Sequence, residues 1–467
     1  MGCCNRRRGL LAGAVLGAVV AILGGILIPV GDSIIEGTVR KESVIEPGTT
    51  AYDNWKATGA TVYRQFWLFD VTNAKEVLET GATPVVKEKG PYTYRTRFFP
   101  KANITFNPND TVSFVLPHGA IFEPSMSVGP EEDIVTSLNL AVAGAYSLIP
   151  KELHVVLENM IKTSNSSLFH NRTVKEILWG YTDPMLKSPV GVFLPYNDTK
   201  DGPYNIYSGK DDISKVAIID MWKGQRHGHL SELISPPLFS LSDASSFPPF
   251  LEKTKPLNFF SSDICRSLSA SFQQSLNLKG IDVYRFNLHP DTMASPTRNP
   301  DNRCFCRDKA TTKNCTLAGV LDISACKDDK PIYISLPHFL HGSESLRESV
   351  LGLNPNEEQH ETFLDVEPLT GFTLRFAKRI QINMMYGPSK TVTILKKVKD
   401  YTIFPVVWMN ETAMLDDEKA DVFKERLVSR IQMLETIQYV LLGVGVSVFV
   451  LCLISYCVVR RKDSKIA

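Results

Sequence analysis

"GLLAGAVLGAVVAILGGILIPV", from Gly9 to Val30, carries no charge. As an α-helix rising about 1.5 Å per residue it reaches ~33 Å, enough for a hydrocarbon core of about 30 Å. A second uncharged run, "TIQYVLLGVGVSVFVLCLISYCVV", occupies Thr436 to Val459. The alternative for the first run is a cleaved secretory signal. Its apolar stretch is long for that role and ends in "ILIPVGD", without a small-residue cleavage pattern. Arg6, Arg7 and Arg8 precede the first run, and Arg460, Arg461 and Lys462 follow the second. Positive flanks stay in the cytoplasm. Residues 1–8 and 460–467 therefore read as cytoplasmic tails, 9–30 and 436–459 as transmembrane helices, and 31–435 as one extracellular domain.

Working outward from the anchors, the remaining composition is ordinary. The chain has 467 residues, 43% hydrophobic and 22% charged, which suits a folded protein rather than disorder or a coiled coil. The net charge is +1, and the basic tails carry more positive charge than that. The segment between the spans is thus mildly acidic, which argues against nucleic acid as a partner. N-x-S/T acceptors stand at Asn103, Asn109, Asn165, Asn171, Asn197, Asn314 and Asn410, all between the spans. That placement agrees with a glycosylated exterior.

Local patterns predict a mainly β domain with some helix. "TVYRQFWLFDV" (61–71), "PYTYRTRF" (91–98) and "TVSFVL" (111–116) are rich in aromatic and β-branched residues or alternate in polarity. "KVAIID" (215–220) reads as a buried strand and "PIYISLPHF" (331–339) as a strand meeting a proline turn. "GFTLRFAKRIQINMMY" (371–386) reads as one long strand or a hairpin. Frequent Gly, Pro and Asn breaks suit antiparallel pairing. Residues 131–181 differ. "EEDIVTSLNLAVAGAYSL" reads as a helix stopped by Pro150, and "KELHVVLENMI" places Leu153, Val156, Leu157, Met160 and Ile161 at helical spacing. The plain expectation is that this stripe faces a core. A further helix is expected over 413–434, running into the second span.

No H-E-x-x-H, P-loop or G-x-S-x-G pattern occurs, so no enzyme, cofactor or metal centre is expected. His227 and His229, with Glu232 nearby, lack a third placed ligand. His338 and His341 have no nucleophile to serve, and Glu357–Glu358 and Asp416–Asp417 read as solvated surface. The cysteines between the spans are Cys265, Cys304, Cys306, Cys315 and Cys326. Their spacing does not suit zinc, and an oxidising exterior favours disulfides. If the stretch is extended, Cys304 and Cys306 point the same way and a bridge between them is strained. Which cysteines pair stays open at this point. Cys3 and Cys4 beside the basic cluster, and Cys457 at the inner end of the second span, are candidates for S-palmitoylation.

"AGAVLGAVVAILGGILIPVGD", "YRQFWLFDVTN", "GPYTYR", "AIFEPSMSVG", "FFSSDICRS", "NPDNRCFC", "GLNPNEEQH" and "EPLTGFTLRFAKR" closely resemble the class B scavenger receptors, over nearly the whole chain. The resemblance implies a two-pass receptor whose extracellular domain is an antiparallel β-barrel with a helical apex (about 131–181) and an internal lipid tunnel. It implies long-chain fatty acids, oxidised lipoproteins, anionic phospholipids and thrombospondin as partners, the last through approximately Tyr94 to His154. It also implies cytoplasmic signalling kinases reached through the C-terminal tail, and fatty-acid uptake, adhesion and signalling as roles. A rival reading keeps adhesion to extracellular proteins without lipid transport. The tail "RRKDSKIA" lacks the acidic dileucine of a lysosomal relative, so the expected location is the plasma membrane, with lipid rafts and the Golgi as further stations.

On this resemblance Glu152, Leu153, Val156 and Lys162 are the apical ligand-binding candidates. The same resemblance pairs Cys265 with Cys326 and Cys306 with Cys315. It would pair Cys304 with an upstream cysteine, but "HGHLSELISPPLFSLSDASSFPPF" has none, so Cys304 is expected unpaired. A second departure lies in "IKTSNSS", where only Lys162 remains of a lysine cluster.

Overall fold

The structure is a computed structural model that describes residues 6–57, 60–97, 101–225, 241–327 and 329–464. It divides into two compact units. The first holds residues 1–42, 277–281 and 416–467, and is built on two long helices, Arg6–Glu42 and Ser429–Ser464. Both are long and apolar enough to cross a membrane. They approach closely because small residues line the contact. A Cβ at Gly17 would lie 2.5 Å from the Phe449 nitrogen, and one at Gly445 would lie 2.3 Å from the Ala21 nitrogen. Gln438, apart from water, donates its Nε2 proton to the Leu27 carbonyl at 2.9 Å. The expected helix over 413–434 begins later. Thr402–Met414 is still strand, and Asp416 caps the helix from Asp417 by accepting from the Lys419 amide at 2.8 Å.

The second unit, residues 43–276 and 282–415, is a mixed α/β body around a large antiparallel sheet of 11 strands. Its order is Leu257–Ser261, Arg266–Leu278, Ile281–Leu288, Phe363–Val366, Thr373–Tyr386, Thr402–Met414, Tyr63–Val71, Val86–Thr96 and Ala120–Phe122. Ile332–Ser335, with Leu321–Asp322 beside it, pairs with the far half of Thr373–Tyr386. "GFTLRFAKRIQINMMY" is therefore one long strand. Its first half pairs with Phe363–Val366 and its second half with Ile332–Ser335. Among the described residues no ladder joins Leu257–Ser261 to Ala120–Phe122, so the observed pairing is an open path with two ends.

The central strands are buried on both faces, which explains the unbroken apolar run "TIFPVVWM". Pro405 fits there because it sits opposite Asn383, where the register shifts and a ladder bond is missing anyway. Gly90 is required at another bulge: a Cβ there would meet the Phe66 carbonyl at 2.6 Å. Phe66, Phe69, Tyr92, Phe286 and Phe404 are fully buried in the core. A smaller sheet orders Ile219–Trp222, Lys200–Tyr207, Thr111–Pro117 and Ala102–Phe106. "KVAIID" thus supplies only the start of a strand, since Ile213–Lys215 is a 3-10 turn and Ala217 has φ +59°.

The 131–181 region is less helical than its pattern suggested. Ile134–Leu138 is a strand paired with Phe169–Thr173, its consecutive β-branched Ile134, Val135 and Thr136 suiting an extended chain. Asn139 then caps the helix Leu140–Leu148, accepting from the Ala141 and Val142 amides. His154–Ser164 and Val174–Trp179 are helices, the latter with a Thr173–Glu176 capping box.

Candidate functional site

Between the large and small sheets lies a cavity of about 300 Å³. The small sheet contributes Phe114, Leu116 and Ile219; the large sheet contributes Leu268, Leu374 and Phe376. Phe114 and Leu116, like Leu374 and Phe376, stand at alternate positions of one strand, and only the folded sheets bring the two sets together. The cavity also has charged walls. Arg64, Glu411 and Lys378 form one row across three neighbouring strands, directly opposite one another in register. Arg64 Nε lies 2.8 Å from Glu411 Oε2, Lys378 Nζ lies 3.6 Å from Glu411 Oε1, and Lys378 also bonds Asp263. Burial opposes the charge on both carboxylates. Lys378 and Arg64 outweigh it and hold Glu411 and Asp263 below the usual carboxylate range. At another wall, the buried Lys101 Nζ donates to the Trp55 carbonyl at 3.0 Å and lies 3.4 Å from Asp243, which also accepts from Trp55 Nε1 at 2.9 Å. Burial pushes the Lys101 ammonium down despite that partner. None of these charged residues stood out in the sequence. A lone charge within an aromatic, β-branched strand was the only available signal.

A second polar cluster surrounds Glu88. Its Oε2 accepts from Trp408 Nε1 at 2.7 Å and meets His338 Nε2 at 2.6 Å; His360 stacks on His338 with ring centroids 4.5 Å apart. The three ligand-type atoms lie within 4.8 Å of one another, a metal-like spacing. The hydrogen bonds point to a different role. His338 Nδ1 accepts the Asn354 amide and His360 Nδ1 accepts the Asn356 amide, each at 3.0 Å. A neutral ring that accepts at Nδ1 carries its proton on Nε2, so His338 donates to the carboxylate and the His360 Nε2 is protonated as well. Metal-bound histidines usually do the reverse, donating from the second nitrogen. Burial works against the Glu88 charge, but His338 and Trp408 lower its pKa overall. Burial and the neighbouring His338 push His360 down to about 4. The cluster fixes the Asn354–Asn356 turn against the sheet. His338, for which the sequence offers no nucleophile to serve, is thus part of the frame.

The apical candidates separate by position. Leu153 and Val156 do not face the core: they are 53% and 51% exposed and adjoin the exposed Val155, while Leu157 and Ile161 take the buried side. The reason is a 3-10 turn at Lys151–Leu153, which starts the helix only at His154 and rotates the stripe. Glu152 is exposed beside them. Lys162 reaches solvent, but its Nζ is 3.0 Å from the buried Glu158.

The cysteine segment is compact rather than extended, since Pro300–Phe305 forms a 3-10 helix. Cys265 is bridged to Cys326 and Cys306 to Cys315, while Cys304 is a free thiol. Burial, ahead of the opposing Arg266, pushes the Cys304 thiol up. Of the glycan acceptors, Asn410 is half-buried, its Nδ2 donating to Gln65 at 3.0 Å; the others are exposed. His227, His229 and Glu232, like Cys3 and Cys4, lie outside the described residues. Cys457 is exposed on the C-terminal helix.

The CD36 family profile matches residues 15–456. Scavenger receptor class B member 1 of Rattus norvegicus is 33% identical over 463 residues, covering 95% of this chain and 89% of that protein. Lysosome membrane protein 2 of Homo sapiens is 33% identical over 465 residues, covering 95% and 93%.

Proposed function

The chain belongs to the CD36 family, and on that premise we propose that it is a two-pass cell-surface receptor of the fatty acid translocase type. In this reading it takes up long-chain fatty acids and captures oxidised lipoproteins, anionic phospholipids and thrombospondin. A scavenger-receptor, lipid-binding role fits its relatives; the particular ligands are the proposal. The observation that carries it is the apolar cavity between the sheets. A closed barrel and a continuous tunnel, with the plasma membrane as location, belong to the same proposal. So do glycans on the exterior, palmitate on Cys3, Cys4 and Cys457, and kinases at the C-terminal tail.

Burying about fifteen methylenes at ~0.8 kcal/mol each offers at most ~12 kcal/mol, whereas an exposed ion pair offers ~0–1 kcal/mol. The cavity therefore carries fatty-acid affinity, and apical groups such as Lys162 choose among anionic particles. Lipid extracted from the purified protein and read by mass spectrometry tests this directly: recovery of long-chain lipid in stoichiometric amount is expected, and its absence sinks the reading. The adhesion alternative draws on the exposed Leu153, Val155 and Val156, and predicts protein capture by a receptor that retains no lipid.

A further inference from the structure

The charged residues that line the cavity balance. Arg64, Lys101 and Lys378 face Asp243, Asp263 and Glu411. Each cation is already committed. Arg64 is paired to Glu411 at 2.8 Å, Lys101 lies 3.4 Å from Asp243, and Lys378 contacts both Asp263 and Glu411. His118 also lines the cavity, and burial lowers its pKa, so it stays neutral near neutral pH. Tyr204 lines the cavity too, and its hydroxyl donates to Asp201.

An ionised lipid carboxylate entering this space would add a negative charge that finds no free cation among the described residues lining the cavity; Lys327, which bonds the Tyr196 hydroxyl outside that lining, already serves Asp263. Burying an unpaired charge costs far more than neutralising it, and desolvation raises a carboxyl's pKa for the same reason. A neutral head bearing one hydroxyl meets no such penalty, because the paired carboxylates keep lone pairs to accept its proton. We propose that the cavity admits its lipid uncharged, as an apolar body with a single neutral hydroxyl, either a sterol or a protonated fatty acid, and that Glu411 and Asp263 set this selection. The inference rests on the lipid-binding reading above.

Full-length protein in phosphatidylcholine nanodiscs is irradiated with diazirine analogues of cholesterol and of oleic acid. Labels are mapped to peptides from residues 63–71, 373–386 and 402–414. Labelling of the C-terminal helix Ser429–Ser464 reports how much probe the bilayer holds and normalises the signal. Sterol labelling should be the same at about pH 6 and about pH 8, while oleate labelling should fall about tenfold or more as its carboxyl ionises. Glu411→Gln leaves Arg64 without its counter-charge and keeps the Asn410–x–Thr412 triplet. It should raise oleate labelling at the higher pH by about tenfold relative to sterol labelling of the same variant. Asp263→Asn should do the same through Lys378. Equal oleate labelling of the unmodified protein at both pH values overturns the proposal. So does failure of both variants to raise it while sterol labelling persists. If a variant loses labelling by both probes, the pH comparison on the unmodified protein decides. If neither probe labels these peptides at any pH, the lipid-cavity reading fails, which is a different outcome from loss of charge selection.

Discussion

Removing Glu158 and removing Lys162 should have very different consequences, although the two side chains touch. Glu158 is buried and accepts from the Thr393 amide at 2.8 Å and its hydroxyl at 2.5 Å, tying the helix His154–Ser164 to a distant loop. Lys162 stands one helical turn on, 3.0 Å from the same carboxylate and 66% exposed. Burial opposes the Glu158 charge, but Thr393 and Lys162 outweigh it and hold the carboxyl down to about 2. Against an ordinary value of 4.5, that corresponds to ~3 kcal/mol as an upper bound. The carboxylate is depressed in the folded state. Its contribution is therefore complete above about pH 4.5 and is lost as the pH falls toward 2. This contact consequently gives the apex no pH response between neutrality and mild acid. An exposed i,i+4 pair supplies only about 0.3–0.5 kcal/mol of the total. Glu158→Ala leaves the Thr393 amide without its acceptor, at ~2 kcal/mol. Hydrogen exchange of the 154–164 amides reads the difference. Glu158→Ala should cut protection about thirtyfold and Lys162→Ala about twofold. Equal losses in the two variants would refute the reasoning. If it stands, Lys162→Ala tests ligand capture without disturbing the helix beneath it.

The bridge Cys265–Cys326 closes a loop with a separation of 61 and Cys306–Cys315 one of 9, worth ~4 and ~3 kcal/mol on chain entropy. Cys265→Ser should therefore reduce surface expression, whereas Cys304→Ser should leave it nearly unchanged; flow cytometry on intact cells separates the two. His360, held down to about 4 in the fold, binds a proton more readily when unfolded. Stability should fall as pH drops from about 6.5 toward 4, by at most ~3 kcal/mol, and then level off. His360→Gln should flatten that slope in thermal unfolding at stepped pH, and an unchanged slope would count against the assignment.

The two long apolar helices and the strands with strong local character were legible in the sequence. An uncharged run and a run of β-branched and aromatic residues report their own environment. Ile134–Leu138 was misjudged because five residues between turns fit either periodicity until Phe169–Thr173 arrives to pair with them. The core-facing stripe expectation fails at Leu153 and Val156 because a 3-10 turn shifts the helical phase, and nothing in the spacing marks it. The cavity's charge row was not legible at all. Arg64 and Glu411 stand 347 residues apart, and their opposition depends on strand register. Glu88 and His338, 250 apart, meet for the same kind of reason.

If both apolar helices, in close contact through Gly17 and Gly445, span a membrane, that bears on how the chain could be shed. A receptor with one anchor is released by one proteolytic cut. Here a cut anywhere between the spans leaves two pieces, each still held by its own helix, and a cut inside the 265–326 loop leaves them covalently joined as well. On the two-pass reading a soluble form requires two cleavages near opposite ends of the chain, and a single nick does not release it.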